Sequence, residues 1–124
     1  MTDINANNID IHETVEIGNN VRINCDTIKL GKFCKIGDNV TIDCKTFESD
    51  EWLYMCDGVE IGRGGCYGPN SSVKIGKGVG VFENTVINPS ELVEIGDNCG
   101  IGADVMIWTH GGWLDVLEGF PSDF

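Results

Sequence analysis

Positive charge is what this chain has least of: eight Lys and Arg stand against 20 Asp and Glu, a formal net charge of -12. A surface this acidic repels phosphate backbones and anionic lipid headgroups, so neither nucleic acid nor a membrane surface is an expected partner. No uninterrupted apolar run approaches the roughly 18 residues that a membrane-spanning helix needs. Met1 to Asn8 is polar and acidic, without the basic stretch and apolar run of a secretory signal, and the expected location is the cytoplasm. Six cysteines occur without paired CxxC spacing, so they are expected reduced, with no metal bound. Proline is limited to three residues and histidine to two, which leaves His12 and His110 as the candidate general bases near neutral pH.

Glycine, by contrast, is abundant, at 17 residues. No Gly period of three accompanies it, and 41% of the chain is apolar, so a collagen-like or disordered chain is not expected. The glycines follow a pattern instead. V-E-I-G occurs at 15–18, 59–62 and 93–96, with related forms ending at Gly31, Gly37, Gly76 and Gly102. Taking the aliphatic residue as a register mark gives steps of mostly six to eight residues. Grouped in threes, one face holds Ile17, Ile36, Ile61, Val81 and Ile101, and a second holds Ile23, Ile42, Tyr67, Ile87 and Ile107. The third holds Leu30, Ile75 and Ile95.

A second apolar or small residue, such as Val15, Val21, Ile28, Cys34, Val40, Val73, Val79, Val93, Cys99 or Val105, precedes many of these marks by two. Period-two alternation turns both inward, and strands this short bury their apolar face only by stacking coil on coil. The expected fold is an all-β, single-domain parallel β-helix of four to five coils. The Gly after each mark is expected to supply a positive φ at a corner.

Two departures interrupt the register. Ile42 and Ile61 lie 19 residues apart where comparable steps take 13 or 14, so a protruding loop is expected within 48–58, E-S-D-E-W-L-Y-M-C-D-G. Its acidic and aromatic residues suit an acceptor or subunit contact, although part of it also suits the third strand of its coil. After Ile107 the repeat is lost, and 111–124 reads as an irregular tail too short to complete and cap a coil. The expectation is a truncated chain or a coil end covered by a partner.

The repeat, from Val15 to about His110, resembles the left-handed β-helix of hexapeptide-repeat acyltransferases, which implies left-handed triangular coils. Within it, I-G-D-N-C-G-I-G-A-D-V-M-I-W-T-H at 95–110 resembles the segment of maltose and galactoside acetyltransferases that ends in the catalytic histidine. The resemblance implies that His110 deprotonates a sugar hydroxyl or amine for attack on an acyl-CoA, most often acetyl-CoA. It also implies a homotrimer with active sites between subunits and no bound cofactor or metal. V-F-E-N-T-V-I-N at 81–88 matches the part of that family that contributes an active-site asparagine, here Asn84, for the acceptor or the oxyanion. Asn84 equally suits a turn position.

Near the candidate base, Asp115 suits orientation of the imidazole or contact with the acceptor, or is a solvated loop residue. Trp113 and Trp108 suit stacking on a sugar or on the adenine of CoA, and equally an oligomer interface. Cys25 and Cys44, each two residues past a mark, are expected to stack as neutral thiols. No residue is singled out for binding CoA itself, because the coils that usually hold its pantetheine arm would follow His110. Two histidines are too few for a three-histidine zinc carbonic anhydrase on this fold. A non-catalytic β-helix scaffold or binding module is the alternative from another class.

Overall fold

The structure, a computed structural model, describes residues 2–62 and 70–109. Every element within them is a β-strand. The chain winds as a parallel β-solenoid of about five turns, each inner strand hydrogen-bonded to the strand one turn earlier and one turn later. β1 (Asp3–Ile11) and β2 (Glu16–Ile17) make the first turn, and β3 (Arg22–Leu30) and β4 (Lys35–Ile36) the second. The third consists of β5 (Thr41–Asp43), β6 (Thr46–Ser49) and β7 (Tyr54–Met55). The fourth has β8 (Glu60–Ile61), β9 (Ser72–Ile75) and β10 (Gly80–Val81), and the fifth β11 (Val86–Asn88), β12 (Val93–Ile95) and β13 (Gly100–Ile101). β14 (Met106–Trp108) opens a sixth.

Three parallel ladders result. One runs β2, β4, β7, β10, β13; another runs β3, β5, β8, β11, β14; the third runs β3, β6, β9, β12. β3 belongs to two ladders because it passes its corner without a break, and β1 pairs along the whole of it from Asp3 to Ile11. Like residues lie over like: Ile23 on Ile42 on Ile61 on Ile87 on Ile107. Ile23, Ile36, Ile42, Phe47, Met55, Ile61, Val73, Val81 and Ile87 are all but fully buried in one continuous core. β-branched side chains suit this pleated, close-stacked environment.

The stacking corrects the register expected in the third and fourth turns. Ile61 pairs with Ile42 and Ile87, not with Ile36, and the place between Ile36 and Val81 belongs to Met55. Nor does 48–58 protrude as a loop: Glu48 and Ser49 lie in β6 against β3 and β9, and Tyr54 and Met55 lie in β7 between β4 and β10. In the third turn the place of the third-face mark is taken by a polar residue, Ser49, paired with Leu30 and Ile75. Met55 takes the first-face place, and with neither residue counted as a mark one complete 19-residue turn looked like a short one with an insertion. The longer turn is the next: Ile61 and Ile87 are 26 residues apart, whereas Ile42 and Ile61 are 19 apart. Tyr67, expected on the second face, lies outside the described residues.

Glycine also serves differently from the expectation. Only Gly62, φ 103°, meets it among the described repeat glycines; elsewhere the left-handed conformation falls at Asn20, Asn39, Gly58, Asn84 and Asp104 along one corner and at Phe33, Trp52, Gly78 and Asn98 along another. Gly18, Gly37 and Gly76 are required for space: a Cβ there would collide with the carboxylate of Asp38, Asp57 or Asp97 from the next turn. Those carboxylates have work of their own. Asp57 Oδ1 accepts from Asp38 N–H at 2.8 Å, and Asp38 Oδ1 accepts from Asn19 N–H at 2.8 Å, so each corner is tied to the one below. Gly37→Ala pushes a methyl into the Asp57 carboxylate and into the backbone of Cys56 and Asp57. Overpacking of this kind costs about 1–3 kcal/mol, and urea denaturation should register it as a lower midpoint at unchanged slope.

Candidate functional site

The described chain ends at the corner that delivers His110. β14 carries Trp108 onto Asn88 of β11, and Asn88 is fully buried. A buried amide must find partners, and this one makes the corner rigid. Its Oδ1 accepts from Ser90 N–H at 3.2 Å and from Ser90 Oγ at 2.8 Å. Thr109 Oγ1 donates to Asn88 O at 2.9 Å and accepts from Glu91 N–H at 3.0 Å. Thr109 is thereby clamped to both sides of the corner one turn below, immediately before His110. Side chains held by such supporting bonds are what a catalytic group needs behind it. Neither Asn88 nor Thr109 was singled out by the sequence reading. The available signal was the N-P-S run at 88–90, a polar residue next to a Pro on a strand that otherwise reads V-I.

His110, Trp113 and Asp115 lie outside the described residues, as does all of 110–124. Trp108 is described, in β14, and is 41% exposed.

Asn84 stands on a different corner, between β10 and β11, with φ 61°. Its N–H donates to Asp57 O at 3.1 Å, and its side-chain oxygen fills the space over Gly58 where a Cβ would otherwise sit. Asparagine tolerates the left-handed region better than most residues, so the corner by itself accounts for the residue type. Its amide is exposed to solvent.

Cys25 and Cys44 meet as expected, both buried and both free thiols. A hydrogen bond from the Cys44 side chain holds the Cys25 thiol below its ordinary value, against the opposing effect of burial. Among the described residues no group of three or more His, Cys, Asp or Glu is placed to hold a metal ion. Cys34 is a core residue, 1% exposed, whereas Cys99 is exposed. Its register is the inward one, stacked on the buried Val79, but it sits in the fifth turn, where β13 has a described neighbour, β10, on one side. Under native conditions iodoacetamide should therefore modify Cys99 well before Cys34, which peptide mapping by mass spectrometry reads directly.

Compared with family models, with curated proteins and with solved structures, the chain matches none at a significant level.

Proposed function

We propose that this protein is an acyl-CoA-dependent O- or N-acyltransferase, acting most often as an acetyltransferase on a sugar or sugar-derived acceptor, with His110 as general base. The observation that carries the reading is the 95–110 segment, whose resemblance to the acetyltransferase histidine segment falls on a parallel β-solenoid. The Asn88–Thr109 anchor adds support, because it fixes the residue before His110. In the reaction the imidazole takes the proton of the acceptor hydroxyl or amine as its O or N attacks the thioester carbonyl. The tetrahedral intermediate, its oxyanion held by hydrogen-bond donors, collapses with loss of the CoA thiolate, which recovers the proton from the imidazolium. No metal takes part.

The same resemblance supports left-handed triangular coils and a homotrimer with sites shared between subunits. Asn84, Trp113 and Asp115 are the proposed acceptor contacts. Incubating the protein with acetyl-CoA and a panel of mono- and disaccharides, while following release of free CoA thiol, tests the proposal. Acceptor-dependent thiol release is the expected result. Its absence with every acceptor would favour a non-catalytic β-solenoid module.

A further inference from the structure

The corner between the third and first ladders carries an anomaly. Along it the left-handed positions are Phe33 (φ 61°), Trp52 (φ 63°), Gly78 and Asn98. Gly and Asn are the residues this conformation selects, and a bulky aromatic there is strained. Burial does not compensate, since Phe33 is 46% and Trp52 60% exposed. The two rings stack on each other, with centroids 4.7 Å apart and planes at 27°. Gly78, next along the column, has no side chain to lay over the outer face of Trp52. Backbone strain held in place at exposed aromatic rings marks a functional surface.

The surroundings indicate what the surface takes. The rings border an open groove of about 310 Å³ with Thr14, Glu16, Lys35 and Tyr54. Lys35 Nζ lies 3.9 Å from Glu16 Oε2 and 5.8 Å from the centre of the Tyr54 ring, which is itself half exposed. The rim thus alternates aromatic faces with a paired carboxylate and ammonium. A sugar ring fits this mixture: its C–H face is attracted to the negative face of an aromatic ring, and its hydroxyls both donate to Glu16 and accept from Lys35. The charge of -12 disfavours an acidic polysaccharide.

We propose that Phe33 and Trp52 form a binding platform for neutral saccharides, with Tyr54, Glu16 and Lys35 as its rim. It stands on a different corner from Thr109, and its existence does not depend on acyl transfer.

The test measures binding of cellohexaose, maltohexaose and N-acetylchitohexaose by calorimetry and by tryptophan fluorescence, on the whole chain and on Trp52→Asn, Phe33→Asn and the double variant. Asparagine suits the backbone at both places, as Asn98 does in the same column. The expected result is binding of at least one hexaose, weakened tenfold or more by Trp52→Asn, with the melting temperature of the double variant unchanged or raised. Binding of none of the three by the unsubstituted chain overturns the proposal, as does equal binding by the variants. A melting temperature lowered by several degrees in the double variant also overturns it, because the aromatic pair would then be serving packing. So does self-association that the double variant abolishes, since a second copy of the chain would then be the occupant.

Discussion

His110→Ala should lower acyl transfer from acetyl-CoA by roughly 10² to 10⁴-fold, the usual worth of a positioned general base. His12 cannot replace it. That imidazole lies after β1, at the end of the solenoid opposite Thr109, with Nδ1 2.9 Å from Thr14 Oγ1 and accepting from Thr14 N–H at 3.2 Å. The loss should appear in kcat and kcat/KM together if the proton moves in the transition state. In the unsubstituted protein, activity should fall at low pH as the base becomes protonated, and the residual activity of the variant should lose that limb. Stability is the control. The bonds at this corner are made by Thr109, Asn88, Ser90 and the Glu91 backbone, none of which the substitution removes. The melting temperature should therefore stay within a degree or two. Full activity in this variant would sink the assignment of the base and leave the solenoid itself untouched.

A pair of variants at Thr109 sharpens the point. Thr109→Ser keeps the hydroxyl that bridges Asn88 O and Glu91 N–H, and Thr109→Val removes it. If that bridge positions the base, the Val variant should lose much more kcat than the Ser variant, with the pH profile of both still showing the imidazole limb.

The fold was largely legible because one physical constraint repeats on every turn: a two-residue apolar strand has to be covered above and below by its own kind. The V-x-I-G units report that constraint directly, and Ile23, Ile36, Ile42, Val81 and Ile87 stand where the spacing put them. What escaped was anything that satisfied the constraint by other means. Phe47 fills the third ladder between Ile28 and Val73, and Met55 fills the first between Ile36 and Val81. Met55 is not one of the aliphatic residues that mark the other turns, and two residues after Phe47 the mark's place between Leu30 and Ile75 holds the polar Ser49, so this turn showed no mark on two of its faces. The glycines misled for a similar reason. Gly37 looks like a φ-driven residue in sequence, whereas its cause is a carboxylate 20 residues away, which becomes a neighbour only once the turns are stacked.

The candidate site was legible to a smaller degree, since the resemblance that marks His110 is local and the support beneath it is not. Asn88 is distinguished by burial and by the partners it gathers across one turn, and a strand reading of V-I-N gives no hint of either. Asn84 shows the opposite case: a residue that the resemblance marks for chemistry, at a position where a corner ladder already selects Asn, Gly or Asp.

The corrected register makes its own sharp prediction, at Met55. As a residue of a protruding loop, Met55 would be replaceable by Ala at a cost within about 0.5 kcal/mol, as surface changes usually are. As a fully buried rung between Ile36 and Val81 it should cost about 2–5 kcal/mol, from lost transfer energy and the cavity left behind. The upper part of that range is favoured because the solenoid stacks rigid turns that cannot close sideways over a missing side chain. The loss also falls on two interfaces at once, with the turn below and the turn above. Tyr54 is the internal comparison, one residue earlier on the same two-residue strand and half exposed. Tyr54→Ala gives up a cation–π contact with Lys35 at 5.8 Å and should cost about 1 kcal/mol or less. Urea denaturation of the two variants, followed by far-UV circular dichroism, should show a midpoint shift several times larger for Met55→Ala. Equal shifts for the two would return the 48–58 segment to the loop that the sequence first suggested. A large shift at Met55 alone fixes the strand, its face and the 19-residue length of the third turn.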